Sequence, residues 1–283
     1  MTSSLPLDRL RDRHGRFSML AIDQRESLRN MLSVGAPSPV SDDELAAFKL
    51  LVVETLVPHA SAVLIDRQYG GPAAAVSTRP VILAADILSA SIPGGQVNVA
   101  SLDEEVTPDF AIGFGAAALK VLVPWAPDRR DEAIDLSARF MDLCRRAGLP
   151  GVVEGVVRPD DIASWTDADR NAALVEATRD LATTNPDLYK AEVPSYGAGD
   201  PEVITETARA ITEVVDCPWV VLSSGVTAAR FPDAVRACVA GGAQGFLAGR
   251  AIWADATTSD DPAAFLAGES VRRLQQLSAA EVA

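Results

Sequence analysis

Asp187-Leu188-Tyr189-Lys190-Ala191-Glu192-Val193-Pro194 is a short, strand-like run with a single lysine near its end. A lysine so placed points from a strand end into a site poor in water. Lost hydration lowers its pKa toward a neutral, nucleophilic amine, the state a Schiff-base lysine requires. The plainer reading is a strand-end lysine whose stem is buried and whose ammonium reaches solvent or pairs with Glu192. The rest of the chain bears on the choice, because the same unit recurs along it: an apolar run, a polar end and a helical pattern.

Upstream, FSMLAI (17–22) ends in Asp23-Gln24-Arg25-Glu26-Ser27, and a helical pattern follows through Leu28, Met31 and Leu32. Ser41 and Glu44 are spaced as a capping box for a helix over 45–56. AVLID (62–66) and VILAAD (81–86) are again apolar runs closed by a carboxylate. The Gly/Pro/Ser-rich stretch 89–100 predicts a long loop, a lid or substrate-facing segment. ALKVLV (118–123) carries a lysine in a strand interior, 131–147 is an amphipathic helix stopped by Gly148 and Pro150, and GVVEGVV (151–157) holds a carboxylate. A helix over 170–182 leads to the Lys190 strand. Downstream come a helix over 201–215, a strand over 218–222 followed by Ser223-Ser224-Gly225, and a helix over 231–240. A strand over 245–248 then ends in Gly249-Arg250, and a closing helix covers 262–277. Eight such units without a composition break predict an α/β fold, a single (β/α)8 TIM barrel domain over 1–283, rather than two domains. An open doubly wound sheet is the alternative.

The chain has 283 residues, 48% of them apolar, enough for a large core. Its net charge of -14 gives no general attraction for nucleic acid or an anionic membrane, so a phosphorylated ligand must be held by local donors. Cys144, Cys217 and Cys238 lie far apart and read as apolar core thiols of a reduced, cytoplasmic protein. His14 and His59 form no ligand-spaced cluster, so no metal site is expected. No run has the pattern of a signal peptide or the length of a bilayer span.

In such a barrel the strand ends share one face, on which Asp23, Asp66, Lys120, Glu154, Lys190, Ser223, Gly225 and Arg250 converge. Ser223-Ser224-Gly225 and Gly249-Arg250, after the last two strands, match a phosphate site built from backbone N–H groups, a hydroxyl and a guanidinium. The alternative is that small residues only make tight turns there. Lys120 and Lys190, two strands apart, lower each other's pKa, one as nucleophile and the other as cationic neighbour. Glu154 between them can move protons, and Asp23 can hold a substrate hydroxyl or assist. Asp66 and Asp86 read equally as carboxylates that cap the next loop or pair with Arg67 or Arg79.

FSMLAIDQRESLR, LIDRQYG, ALKVLVPW, VVEGVVRP, DLYKAEVPSYG, PWVVLSSGV and GAQGFLAGRAIW resemble, in order and spacing over about 17–253, a class I aldolase family. That family contains tagatose 1,6-bisphosphate aldolase and 6-deoxy-6-sulfofructose-1-phosphate aldolase. LVPW, VVRP, DLYK and LSSGV are more similar to the sulfofructose-phosphate branch. The chain departs from the family pattern at Gly155, where proline is expected, and over 70–78. The resemblance implies a Schiff base on Lys190, with Lys120, Glu154 and Asp23 matching the family's strand-end groups. It implies phosphate binding by Ser223, Ser224, Gly225, Gly249 and Arg250, without metal or cofactor. The implied reaction is cleavage of 6-deoxy-6-sulfofructose 1-phosphate to dihydroxyacetone phosphate and 3-sulfolactaldehyde, a step of sulfoquinovose breakdown. Cleavage of tagatose or fructose 1,6-bisphosphate is the alternative, and a non-catalytic sugar-phosphate-binding barrel is a reading of another class. A sulfonate is a tetrahedral monoanion that calls for a guanidinium, and Arg25, Arg67 and Arg158 stand near strand ends. A homo-oligomer, dimer or tetramer, is the family-level expectation.

Overall fold

The computed structural model describes residues 6–35, 38–91, 96–223 and 225–280. Eight parallel strands close into a barrel: β1 (Phe17–Ala21), β2 (Val63–Ile65), β3 (Val81–Ala84), β4 (Ala116–Trp125), β5 (Gly151–Val157), β6 (Leu188–Glu192), β7 (Trp219–Leu222) and β8 (Gly245–Ala248). Neighbours in the chain are neighbours in the sheet, and β8 returns to β1 with Phe17 opposite Gly245 and Leu20 opposite Ala248. Helices connect successive strands, so the protein is a (β/α)8 TIM barrel. No described helix is long and apolar enough to cross a membrane.

Strand alternation builds two cores from one set of strands, since successive side chains point to opposite faces. Phe17, Met19, Leu64, Ile82, Ala118, Val152, Leu188, Val220 and Leu247 fill the barrel interior. The residues between them, such as Leu20, Val63, Leu119, Val153, Tyr189 and Phe246, pack outward against the helices. Every strand is therefore apolar on both sides, as parallel sheets require. Truncating one interior side chain, as in Leu64→Ala, costs about 2–5 kcal/mol.

The same parity sets the site. Counting by two from the interior residues of each strand leads from Ala21 to Asp23, Ala118 to Lys120, Val152 to Glu154, Leu188 to Lys190, Val220 to Leu222 and Leu247 to Gly249. Of these positions Asp23, Lys120, Glu154 and Lys190 are charged, so the layer above the apolar plug is largely ionic, and it lies at the carboxyl ends of the strands.

Local signals hold at the capping box. Ser41 Oγ accepts from Glu44 N at 3.2 Å, and Glu44 Oε2 accepts from Ser41 N at 2.8 Å, opening the helix Asp42–Leu56. Three expectations are corrected. β3 stops at Ala84, and Asp86–Ser89 pairs antiparallel with Val99–Leu102, so both ends of the stretch expected as a loop over 89–100 belong to paired strands, while 92–95 lie outside the described residues. β4 is ten residues long and runs past the barrel rim to Trp125, whose ring Nε1 donates to Asp180. The closing helix is interrupted by a wide turn at Leu266–Ser270 between Pro262–Phe265 and Val271–Ala280.

Candidate active site

A cavity of about 810 Å³ opens at the carboxyl ends of the strands. Its floor carries a chain of buried ion pairs. Lys190 Nζ lies 3.0 Å from Glu154 Oε2, and the same oxygen lies 2.9 Å from Lys120 Nζ. Lys120 Nζ also meets Asp23 Oδ2 at 3.1 Å and Asp86 Oδ2 at 3.2 Å. Asp86 is anchored by Leu122 N at 2.8 Å and reaches Arg25 Nη2 at 3.1 Å through its other oxygen. Lys120, Lys190, Glu154 and Asp23 are each at most 9% exposed, so these contacts act with little screening by water.

The two lysines differ in their company. Burial alone lowers a lysine pKa, but around Lys120 the carboxylates of Asp23, Asp86 and Glu154 outweigh burial and hold the ammonium above its ordinary range. Lys190 has a single close carboxylate, shared with Lys120. There burial prevails over Glu154, and the charge of Lys120 adds to the lowering. Lys190 is therefore the amine more readily found neutral, beside a cation that stays charged. Burial would raise the Glu154 carboxyl, but Lys120 and Lys190 hold it below its ordinary value. Asp23 is likewise brought down to about 2, because Lys120, Lys190 and Arg25 outweigh its burial.

The expected phosphate residues Ser223, Gly225, Gly249 and Arg250 line the same cavity. Ser224 lies outside the described residues. At Gly249 a Cβ would sit 2.7 Å from the Ala21 carbonyl oxygen, so only glycine allows β8 to turn this close to β1. Arg25 and Arg158 also face the cavity. Arg158 Nη1 is held 3.0 Å from Glu192, a fully buried carboxylate. Arg67, the third distal-anion candidate, is not among the residues lining the cavity, and its guanidinium makes a two-pronged pair with Asp103 at 3.0 and 3.2 Å.

Asp66 caps the loop that follows its strand, as one reading of the sequence has it, by accepting from Tyr69 N, and it also binds Lys49. Asp86 binds Lys120 and Arg25, while Arg67 pairs with Asp103 and Arg79 donates to the Pro58 carbonyl. Sequence reasoning also misses Tyr196, which lines the cavity from a turn where Ser195 and Tyr196 both have φ of 50°. That left-handed turn is held by Asn171, which donates to Ser195 Oγ and accepts from Ser195 N, both at 2.8 Å. The Arg170 guanidinium stacks 3.7 Å above the Tyr196 ring. Pro194 and Gly197, which bracket the turn, are the local signal for it.

Comparison with known proteins gives the family. The profile of a family described as DeoC/LacD family aldolase matches residues 17–255. The chain is 31% identical over 276 residues to a tagatose 1,6-diphosphate aldolase of Listeria monocytogenes serotype 4a, covering 88% of this chain and 80% of that protein. It is 28% identical over 279 residues to tagatose 1,6-diphosphate aldolase 2 of Streptococcus agalactiae serotype III, covering 88% and 83%. Among solved structures, a Schiff-base-forming fructose-1,6-bisphosphate aldolase superposes with a TM-score of 0.64 at 16% identity, covering 93% of this chain and 96% of that one. A fructose-bisphosphate aldolase from Slackia heliotrinireducens gives 0.67 at 14%, covering 98% and 94%. At such identities these two likenesses concern the fold.

Proposed function

The chain belongs to the DeoC/LacD family of aldolases and is a class I aldolase, and from that premise we propose that it cleaves a six-carbon ketose 1-phosphate bearing an anion at C6, through a Schiff base on Lys190. The observation that carries the reading is the split between the lysines: a buried amine with a lowered pKa on Glu154, next to a Lys120 held cationic by its carboxylates.

Neutral Lys190 attacks the C2 ketone to give a carbinolamine. Glu154, within reach of both ammonium groups, carries the protons needed to expel water as the iminium forms. A base then takes the C4 hydroxyl proton, Glu154 first and Asp23 second. The C3–C4 bond breaks, its electron pair passes to the iminium nitrogen, and the aldehyde leaves. The enamine is protonated at C3 and hydrolysed, releasing dihydroxyacetone phosphate and free Lys190. Ser223, Gly225, Gly249 and Arg250, with Ser224 beside them in the chain, hold the C1 phosphate in this scheme.

For the C6 anion, the similarity of LVPW, VVRP, DLYK and LSSGV to the sulfofructose-phosphate branch supports a sulfonate. Arg25 and Arg158 line the cavity, and the carboxylates they pair with, Asp86 and Glu192, are each shared with a second cation, Lys120 or Arg170, so each of these two groupings keeps a net positive charge for an anion. The substrate in this reading is 6-deoxy-6-sulfofructose 1-phosphate, and the aldehyde is 3-sulfolactaldehyde. The names of the relatives support the second reading, tagatose or fructose 1,6-bisphosphate, with glyceraldehyde 3-phosphate as product.

The test is release of dihydroxyacetone phosphate from all three substrates on one preparation, with Lys190→Ala as control. A hundredfold advantage in kcat/KM for the sulfonate, about 3 kcal/mol of discrimination, is the expected result. Bisphosphates that match it would leave the aldolase reading and remove the sulfonate. Binding without turnover would instead make the barrel a sugar-phosphate sensor.

A further inference from the structure

Lys49 is a fully buried lysine that does not line the cavity. It stands on the helix Asp42–Leu56, which connects β1 to β2, and its stem crosses the helix–barrel interface to the carboxyl end of β1. Its ammonium donates to the Ile22 carbonyl at 2.7 Å, to the Gln24 carbonyl at 2.7 Å and to the Asp66 carboxylate. All three of its protons are thus used. A methionine or leucine would fill the same space without the cost of burying an ammonium, so the ammonium does something a hydrophobic side chain cannot. That task is visible in its acceptors. Ile22 and Gln24 flank Asp23, so the carbonyls of both its neighbours are tied to one point. Asp23 itself reaches inward to Lys120, while Gln24 and Arg25 continue the same turn into the cavity.

We propose that Lys49 is a positioning residue, which fixes the turn Asp23-Gln24-Arg25 from behind and thereby sets the rate of the carbon–carbon cleavage step. The inference rests on the Schiff-base reading above, since it assigns Lys49 to the part of the site that faces the departing aldehyde. Lys190 stands on β6, across the barrel from β1, and does not depend on this turn for its place.

The experiment uses the full chain with Lys49→Met and with the double variant Lys49→Met/Asp66→Asn, in which no unpaired carboxylate is left behind. Two steps are read separately: trapping of dihydroxyacetone phosphate on Lys190 by borohydride, and kcat for cleavage of 6-deoxy-6-sulfofructose 1-phosphate and tagatose 1,6-bisphosphate side by side. Displacement of a reacting group by about 1 Å costs about a hundredfold. In the double variant kcat is therefore expected to fall about a hundredfold, with trapping changed by less than about threefold, and Asp23→Asn is expected to give the same split. A double variant that cleaves within threefold of the parent, or that loses trapping and cleavage in proportion, would overturn the proposal. So would one that no longer folds, because the ammonium would then be a requirement of the barrel. Failure of the unmutated protein to trap at Lys190 or to cleave either substrate would instead strike the Schiff-base reading.

Discussion

Glu154 and Lys190 are register partners on adjacent parallel strands, and their charged ends meet at 3.0 Å inside the barrel mouth. The carboxylate is fixed by backbone register, so its distance from the amine does not depend on a loop. Glu154→Gln keeps the shape and removes the proton acceptor. It is expected to lower kcat by about 10²–10⁴-fold, the usual weight of a general acid–base group, and to slow borohydride trapping on Lys190. A variant within threefold of the parent in both assays would move the proton transfers to Asp23.

In the proposed reaction Schiff-base formation needs neutral Lys190, whose pKa burial pushes below the ordinary lysine value of 10.5 against the pull of Glu154 and with the help of Lys120. The trapping rate is expected to rise with pH through that lowered pKa and to be level before 10.5 is reached. Lys120→Met removes the like charge, so the rising limb moves to higher pH. It also strips Asp23, Asp86 and Glu154 of their shared cation, which costs about 3–5 kcal/mol of stability. A limb that stays in place would separate the two lysines electrostatically.

Asp23 gives a second pH signature, with the opposite sign. Its folded pKa of about 2 lies below its ordinary 3.8, so the stability it contributes is complete above 3.8 and is lost as pH falls through about 2. The shift corresponds to about 2 kcal/mol. Acid unfolding of Asp23→Asn should lack this component, measured as the difference in unfolding free energy between pH 5 and pH 2.5.

How far the chain itself announces these features depends on the range of the interactions. The barrel is legible because an apolar run with a polar end and a following helix recurs eight times. Asp23, Lys120, Glu154 and Lys190 stand out as charges in or at the ends of otherwise apolar runs. Lys49 does not stand out. In AAFKLLVVE (46–54) it reads as an ordinary helix lysine, and its acceptors at Ile22, Gln24 and Asp66 come from two other segments. The partner of Arg67 is equally out of sight: it follows a strand end, and Asp103, with which it pairs, lies 36 residues further on. Asp86 looks like a loop cap and is instead the bridge between Arg25 and Lys120, a role set by the hairpin that begins at it.

That placement of the arginines separates their variants. Arg67→Met removes a pair outside the cavity and should leave kcat and KM within twofold of the parent. Arg25→Met and Arg158→Met are expected to raise KM for substrates with a C6 anion while leaving trapping of dihydroxyacetone phosphate, which has no such group, nearly unchanged. If Arg67→Met raised KM and the other two did not, the distal anion would lie outside this cavity, beside Asp103.

Gly155 departs from the proline expected after Glu154, and Tyr189 supplies the reason. A Cβ at Gly155 would lie 2.1 Å from the Tyr189 hydroxyl and 3.0 Å from Leu181 Cδ1, so the tyrosine ring occupies the space a larger residue would need. Gly155→Ala is expected to cost about 1–3 kcal/mol by overpacking. It should also lower kcat, because the β5 backbone can yield only by moving Glu154 away from Lys190. Tyr189→Phe removes the closest atom of the clash, so in the double variant part of both losses should return, although the single Tyr189→Phe change is itself destabilising by about 1 kcal/mol. Denaturant unfolding and kcat measured on the four proteins of this cycle give the coupling directly. Strictly additive losses would mean that the glycine is there for some reason other than the tyrosine.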